Sequence, residues 1–173
     1  VIVMEVSTGQ IKAISNLSKN RKGEYWELYN YAIGSQGSRE PGSTFKLASM
    51  IALFENSNAQ LTDSIETGNG KFEFYDQQME DHKPGGYGML TVKQVFEKSS
   101  NIGTAKLITQ QFGSNPLKYY DALEDMGLTK PLGFQMIGEG IPYIKHPKKD
   151  STWSGTTLPW MSHGYELKMT PLH

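Results

Sequence analysis

The residues best placed to do chemistry are Ser43 and Lys46, three apart in Glu40-Pro41-Gly42-Ser43-Thr44-Phe45-Lys46. A serine hydroxyl is a poor nucleophile at neutral pH until a neighbouring group takes its proton. On a helix, positions i and i+3 share a face, so the Lys46 amine can sit over the Ser43 oxygen. Such a pair suits serine acyl transfer. A second group, Ser99-Ser100-Asn101, stands at a break between two helical patterns. Ser99 can relay a proton between a lysine and a leaving group, and the Asn101 carboxamide can both donate to and accept from a substrate amide. Each motif also has a plain structural reading. Ser-x-x-Lys recurs at solvated helix starts with serine as N-cap, and Ser-Ser-Asn can be a helix end followed by an asparagine N-cap. The two together favour the catalytic reading.

These residues need elements to hold them. The Pro-Gly pair suits a tight turn into a helix predicted over about 43–55, with Leu47, Met50, Ile51 and Phe54 as its apolar stripe. Thr91 reads as the cap of a helix over about 92–98, with Val92, Val95 and Phe96 on one face. Further helices are expected over 101–112, closed by Gly113, and over 115–126, closed by Gly127. Val1–Val6 and Ile11–Ile14, joined through Ser7-Thr8-Gly9-Gln10, read as a β-hairpin. Residues 15–39 read as loop with room for a short helix, 61–75 as loop plus a short strand, 81–88 as loop, and 128–160 as mostly irregular. The class is α+β, with helices dominating.

Composition narrows the function classes. The chain has 173 residues, 37% of them hydrophobic, enough for one domain with a sizeable core. A net charge of −1 gives no electrostatic case for nucleic acid or an anionic membrane as main partner. The absence of cysteine excludes disulfides and thiolate catalysis. None of the four histidines, at 82, 146, 163 and 173, is paired at helical ligand spacing, which argues against a metal site. No run approaches the ~20 apolar residues of a membrane span, and no signal peptide is visible. The chain opens inside an apolar run at Val1 and stops just after Thr170-Pro171-Leu172, as expected of a piece of a longer protein.

With Glu40-Pro41-Gly42-Ser43-Thr44-Phe45-Lys46 followed by Ser99-Ser100-Asn101, the chain resembles the transpeptidase domain of penicillin-binding proteins. That family carries Ser-x-x-Lys, Ser-x-Asn and Lys-Thr-Gly motifs. Val3–Ala13 is similar to the hairpin that opens the family's domain, and Gly164–Leu172 to the segment before its third motif. The likeness spans essentially the whole chain and is nearest to the class B, division-type (FtsI-like) enzymes. The Trp153–Leu172 stretch, including Leu158-Pro159-Trp160-Met161-Ser162, resembles the Bacteroidetes version.

The resemblance implies the α+β fold shared by these proteins and serine beta-lactamases. It implies a D,D-transpeptidase in which Ser43 is the nucleophile, Lys46 its proton acceptor, Ser99 a relay and Asn101 a substrate holder. The Ser43 amide is then one oxyanion donor. The implied partners are peptidoglycan stem peptides, beta-lactam antibiotics and division-machinery proteins, with no cofactor and no metal. The implied place is the periplasmic face of the inner membrane, through an anchor outside this chain.

Lys-Thr-Gly occurs nowhere in the sequence. Trp153-Ser154-Gly155 lacks the cation and precedes the Thr170-Pro171-Leu172 segment that the family's third motif follows. Residues 1–173 are therefore expected to be a partial domain without the C-terminal strands, and close to inactive alone. The rivals are a class D beta-lactamase or beta-lactam sensor, a non-catalytic scaffold module and an elongation-type enzyme. The Lys145–Lys149 cluster reads as a solvated loop, His163 as a packing residue, and Phe72, Phe74 and Tyr75 as core more readily than as a substrate groove.

Overall fold

The computed structural model describes residues 1–134 and 136–173. Short antiparallel strand pairs surround a cluster of helices. Strands β1 (Ile2–Met4) and β2 (Ile11–Ile14) form the expected hairpin, with Ile2 opposite Ile14 and a register shift after Val3. Strands β3 (Ser18–Lys19) and β4 (Tyr25–Trp26) pair where a loop was expected, and the short helix there is one 3-10 turn at Ser35–Gly37.

The first helix does not begin at Ser43. Gly42–Phe45 is a 3-10 turn, and α1 runs Lys46–Glu55 behind it. Strand β5 (Ser64–Glu66) pairs with β8 (Met89–Thr91), and between them β6 (Lys71–Phe74) pairs with β7 (Gln77–Glu80). Thr91 caps α2 (Val92–Glu97) in a reciprocal capping box with Gln94. Helix α3 spans Asn101–Phe112, and α4 spans Pro116–Asp125 with proline in its first turn. Beyond them β9 (Tyr143–Ile144) pairs with β10 (Leu167–Lys168), and α5 (Thr157–Met161) lies in the stretch expected to be irregular.

The core lies where α1, α3 and α4 meet: Met50, Leu53, Ile108, Phe112, Tyr119 and Leu123 are all buried in one cluster. Inside it, Ser49 of α1 hydrogen-bonds the Tyr119 hydroxyl at 2.7 Å and donates to the Ser162 carbonyl at 2.6 Å, tying three segments together. Of the four residues of the expected α1 stripe, only one faces the core. Met50 is buried, but Leu47 is 56% exposed, and Ile51 and Phe54 are partly open. The helix is apolar around most of its circumference and uses the Met50–Leu53 side for this core. Its Leu47–Ile51 side lines an open apolar groove with Pro41, Met126, Leu128 and Met169, of about 700 Å³. Phe96 is likewise exposed while Val92 and Val95 are buried. No helix among the described residues is long and apolar enough to cross a membrane.

Candidate active site

The turn before α1 and the junction of α2 with α3 converge on one amine. Lys46 is only 2% exposed, and its Nζ lies 2.6 Å from the Ser99 carbonyl and 2.7 Å from Asn101 Oδ1. The hydroxyls of Ser43 and Ser99 are each 3.0 Å away. All four residues read from the sequence are thus brought together. Asn101 Nδ2 donates to the Glu80 carbonyl at 2.9 Å, which fixes the amide so that its oxygen faces the lysine. Two of the four partners are therefore pure acceptors. A neutral amine gives its two hydrogens to them and turns its lone pair toward the two hydroxyls, which can donate. Burial pushes the Lys46 pKa down to about 8, against the opposing charge of Asp81. Ser43 itself is open to solvent.

Ser-Ser-Asn works through its backbone. Ser99 and Ser100 close α2 in a Schellman motif, with Ser99 N–H donating to Phe96 O and Ser100 N–H to Val95 O. That motif places Ser99 at φ 54, where glycine is the usual residue and a serine is strained by about 1 kcal/mol. The strained turn aims both the carbonyl and the hydroxyl of Ser99 at Lys46. Ser100, not Asn101, caps α3, its Oγ accepting from Gly103 N–H at 2.9 Å.

Sequence reasoning missed two contributors. Asp81, read as the start of a loop, is 8% exposed and accepts from Ser100 Oγ at 2.8 Å, Asn101 N–H at 2.6 Å and Ile102 N–H at 3.2 Å. Its partners lie far along the chain, so no local spacing announces it. The second is a strap over the serine turn. Gly42 N–H donates to Gly164 O at 3.0 Å, Glu166 N–H to Glu40 Oε1 at 2.9 Å, and Arg39 and Met169 exchange both backbone bonds. Glu166 sits at φ 57, and its carboxylate accepts from Lys145 at 2.7 Å and Thr157 at 2.9 Å. Lys145 is thus a partly buried ion-pair partner and departs from the solvated cluster expected for it.

His163 lies at the end of this strap, 4% exposed, between Trp160 and Tyr165. Burial, and then the Lys46 charge, pushes its pKa down to about 4. Phe74 is core, edge-on to Phe72 and Trp160, while Tyr75 at the hairpin tip is exposed. Trp153-Ser154-Gly155 leads into α5, the Ser154 N–H donating to Thr157 Oγ1 at 3.0 Å.

The family model described as "Penicillin binding protein transpeptidase domain" matches residues 1–173. The chain belongs to this family. It is 30% identical to penicillin-binding protein PbpB of Mycobacterium tuberculosis, over 99% of the chain and 25% of that protein. It is 25% identical to the probable peptidoglycan D,D-transpeptidase FtsI of Caulobacter vibrioides, over 99% of the chain and 28% of that protein. Penicillin-binding protein 3 of M. tuberculosis, solved with aztreonam, superposes with a TM-score of 0.72 at 29% identity, covering 84% of this chain and 31% of that one. This penicillin-binding protein chain spans about a quarter of the length of the curated relatives it matches.

Proposed function

We propose that this chain forms the nucleophile-bearing part of a serine D,D-transpeptidase that cross-links peptidoglycan stem peptides. The observation that carries this is the amine of Lys46, buried, shifted toward neutrality, and set with two fixed acceptors and two hydroxyls around it. Ser43 Oγ attacks the carbonyl between two D-alanines as its proton passes to Lys46. The C–N bond then breaks and the terminal D-alanine leaves, taking a proton relayed through Ser99. An amino group from a neighbouring stem peptide attacks the acyl-serine and frees Ser43. Asn101 has already committed its oxygen to Lys46 and one N–H to Glu80, so its remaining N–H is what it offers substrate. A beta-lactam enters the same way, but its leaving amine stays tethered to the acyl group.

We further assign the chain to the class B division type acting in septal wall synthesis, in a Bacteroidetes-like bacterium. In this reading the parent is membrane-anchored outside these residues, faces the periplasm and meets division-machinery proteins. The open groove beside α1 supports the view that further strands of the domain, carrying Lys-Thr-Gly, lie there. Those strands supply a second oxyanion donor, whose loss costs roughly 10²–10³ in rate. Asn101 favours this reading over a class D beta-lactamase, and the intact Lys46 cluster favours it over a scaffold module.

Intact-mass analysis after benzylpenicillin exposure tests the reading. The full-length protein should gain one adduct on Ser43 and turn it over slowly, Ser43→Ala none, and the 173-residue chain should react roughly 10²–10³ more slowly. Rapid turnover of the adduct would move the protein to the lactamases. No adduct on the full-length protein would leave a scaffold.

A further inference from the structure

Asp81 belongs to neither serine motif, yet its carboxylate bonds three successive residues of the turn that faces Lys46. We propose that Asp81 is a positioning residue of the acyl-transfer site, fixing the Ser99–Asn101 turn against Lys46 and holding a negative charge that faces that amine. The inference rests on the transpeptidase reading.

The placement follows from what the turn needs. The first N–H groups of a helix have no partner inside the helix. Asp81 Oδ1 takes two of them, from Asn101 and Ile102, and Oδ2 takes the hydroxyl hydrogen of the cap residue Ser100. A negative charge here is also favoured by the dipole of α3. The residue just before, Glu80, takes the Asn101 side-chain amide on its carbonyl. The end of β7 thus holds the second motif by backbone, cap and side chain, and Ser99 keeps its strained φ because residues on both sides are tied down.

The charge has its own effect. The titratable groups facing the Lys46 amine are Asp81, at the end of β7, and His163, beyond α5. The other groups around it, Ser43, Ser99 and Asn101, are neutral. Burial disfavours the ammonium form, and His163 is held neutral, so Asp81 is the counterweight that favours the ammonium. The charge and the placement therefore act in opposite directions on reactivity. Removing the charge leaves more neutral base at pH 7; disturbing the placement slows proton transfer.

This opposition makes the proposal testable in the full-length protein by following benzylpenicillin acylation against pH. In wild type the rate should rise through an acid limb near the Lys46 pKa of about 8. Asp81→Asn should shift that limb to lower pH and lower the plateau by about 10- to 100-fold, as expected from losing part of a buried hydrogen-bond network. Asp81→Glu keeps the charge but misplaces it, so its plateau should fall while the limb stays. A role in folding alone would lower the reactive fraction without moving the limb. An unmoved limb in Asp81→Asn, or an unchanged plateau in Asp81→Glu, overturns the proposal. If Asp81→Asn fails to fold, a folded Asp81→Glu with an undiminished plateau still overturns it. A wild-type protein that forms no adduct defeats the transpeptidase reading instead.

Discussion

His163 is nearly sealed from solvent, and neither ring nitrogen has a hydrogen-bond partner among the described residues. An imidazole in that position, with a lysine charge nearby, cannot readily take a second proton. Its pKa falls from 6.5 to about 4, whereas the unfolded chain protonates near the ordinary value. Between those two values the unfolded state binds a proton that the folded state refuses, so stability drops as pH falls from 6.5 toward 4. The full loss is about 3 kcal/mol. Urea unfolding of the full-length protein at pH 7 and pH 4.5 should show most of this loss in wild type and little of it in His163→Phe. Equal pH dependence in the two would remove His163 from the account. Ser43 and Lys46 were legible as a Ser-x-x-Lys spacing, and Ser99 and Asn101 as polar residues at a break between two helical patterns. Asp81 and the proximity of His163 to Lys46 were not, because each depends on segments far apart along the chain.

At the scale of elements, the serine turn is held by a segment that reaches it from near the other end of the chain. Gly164 makes this possible. It sits at φ +90, and a Cβ placed there would lie 2.0 Å from the Gly42 carbonyl oxygen, a backbone atom that cannot swing aside. Gly164→Ala should cost about 2–5 kcal/mol in a denaturant titration. It should also slow acylation at least about 100-fold, since a shift of about 1 Å in a reacting group has that effect. A variant that acylates normally would show that the strap does not position Ser43. The helices α1 to α4 were readable from periodicity and caps, with Thr91, Gly113 and Gly127 at their expected ends. Strands of two to four residues have too few positions to show alternation, and pairs such as β5 with β8 are made across intervening structure. The five-residue α5 is similarly too short for its period to stand out.

Taken as a whole, the molecule has more apolar surface than its own helices cover. Leu47 and Ile51 project into the groove beside α1, and Val3, Met4, Tyr25 and Trp26 are open on the first two strand pairs. On the proposal that further strands cover the groove, replacing Leu47 and Ile51 by glutamine has opposite effects in two settings. The 173-residue chain should self-associate less by size-exclusion chromatography, because an exposed patch has been made polar. The full-length protein should lose about 2–4 kcal/mol of stability, because the same side chains are buried there. If the full-length protein is indifferent to the double substitution, the groove is not covered.

Lys46 meets Ser99 and Asn101 across 53 and 55 residues of chain. Until α1 and α3 dock, it is an ordinary solvated ammonium and Ser43 an ordinary alcohol. On the proposed roles, reactivity is then a property of the finished tertiary structure and absent from every earlier state. A chain still being synthesised, or threaded unfolded to another compartment, carries a silent serine that neither substrate nor antibiotic can acylate. The nucleophile switches on only once the fold has closed around its base.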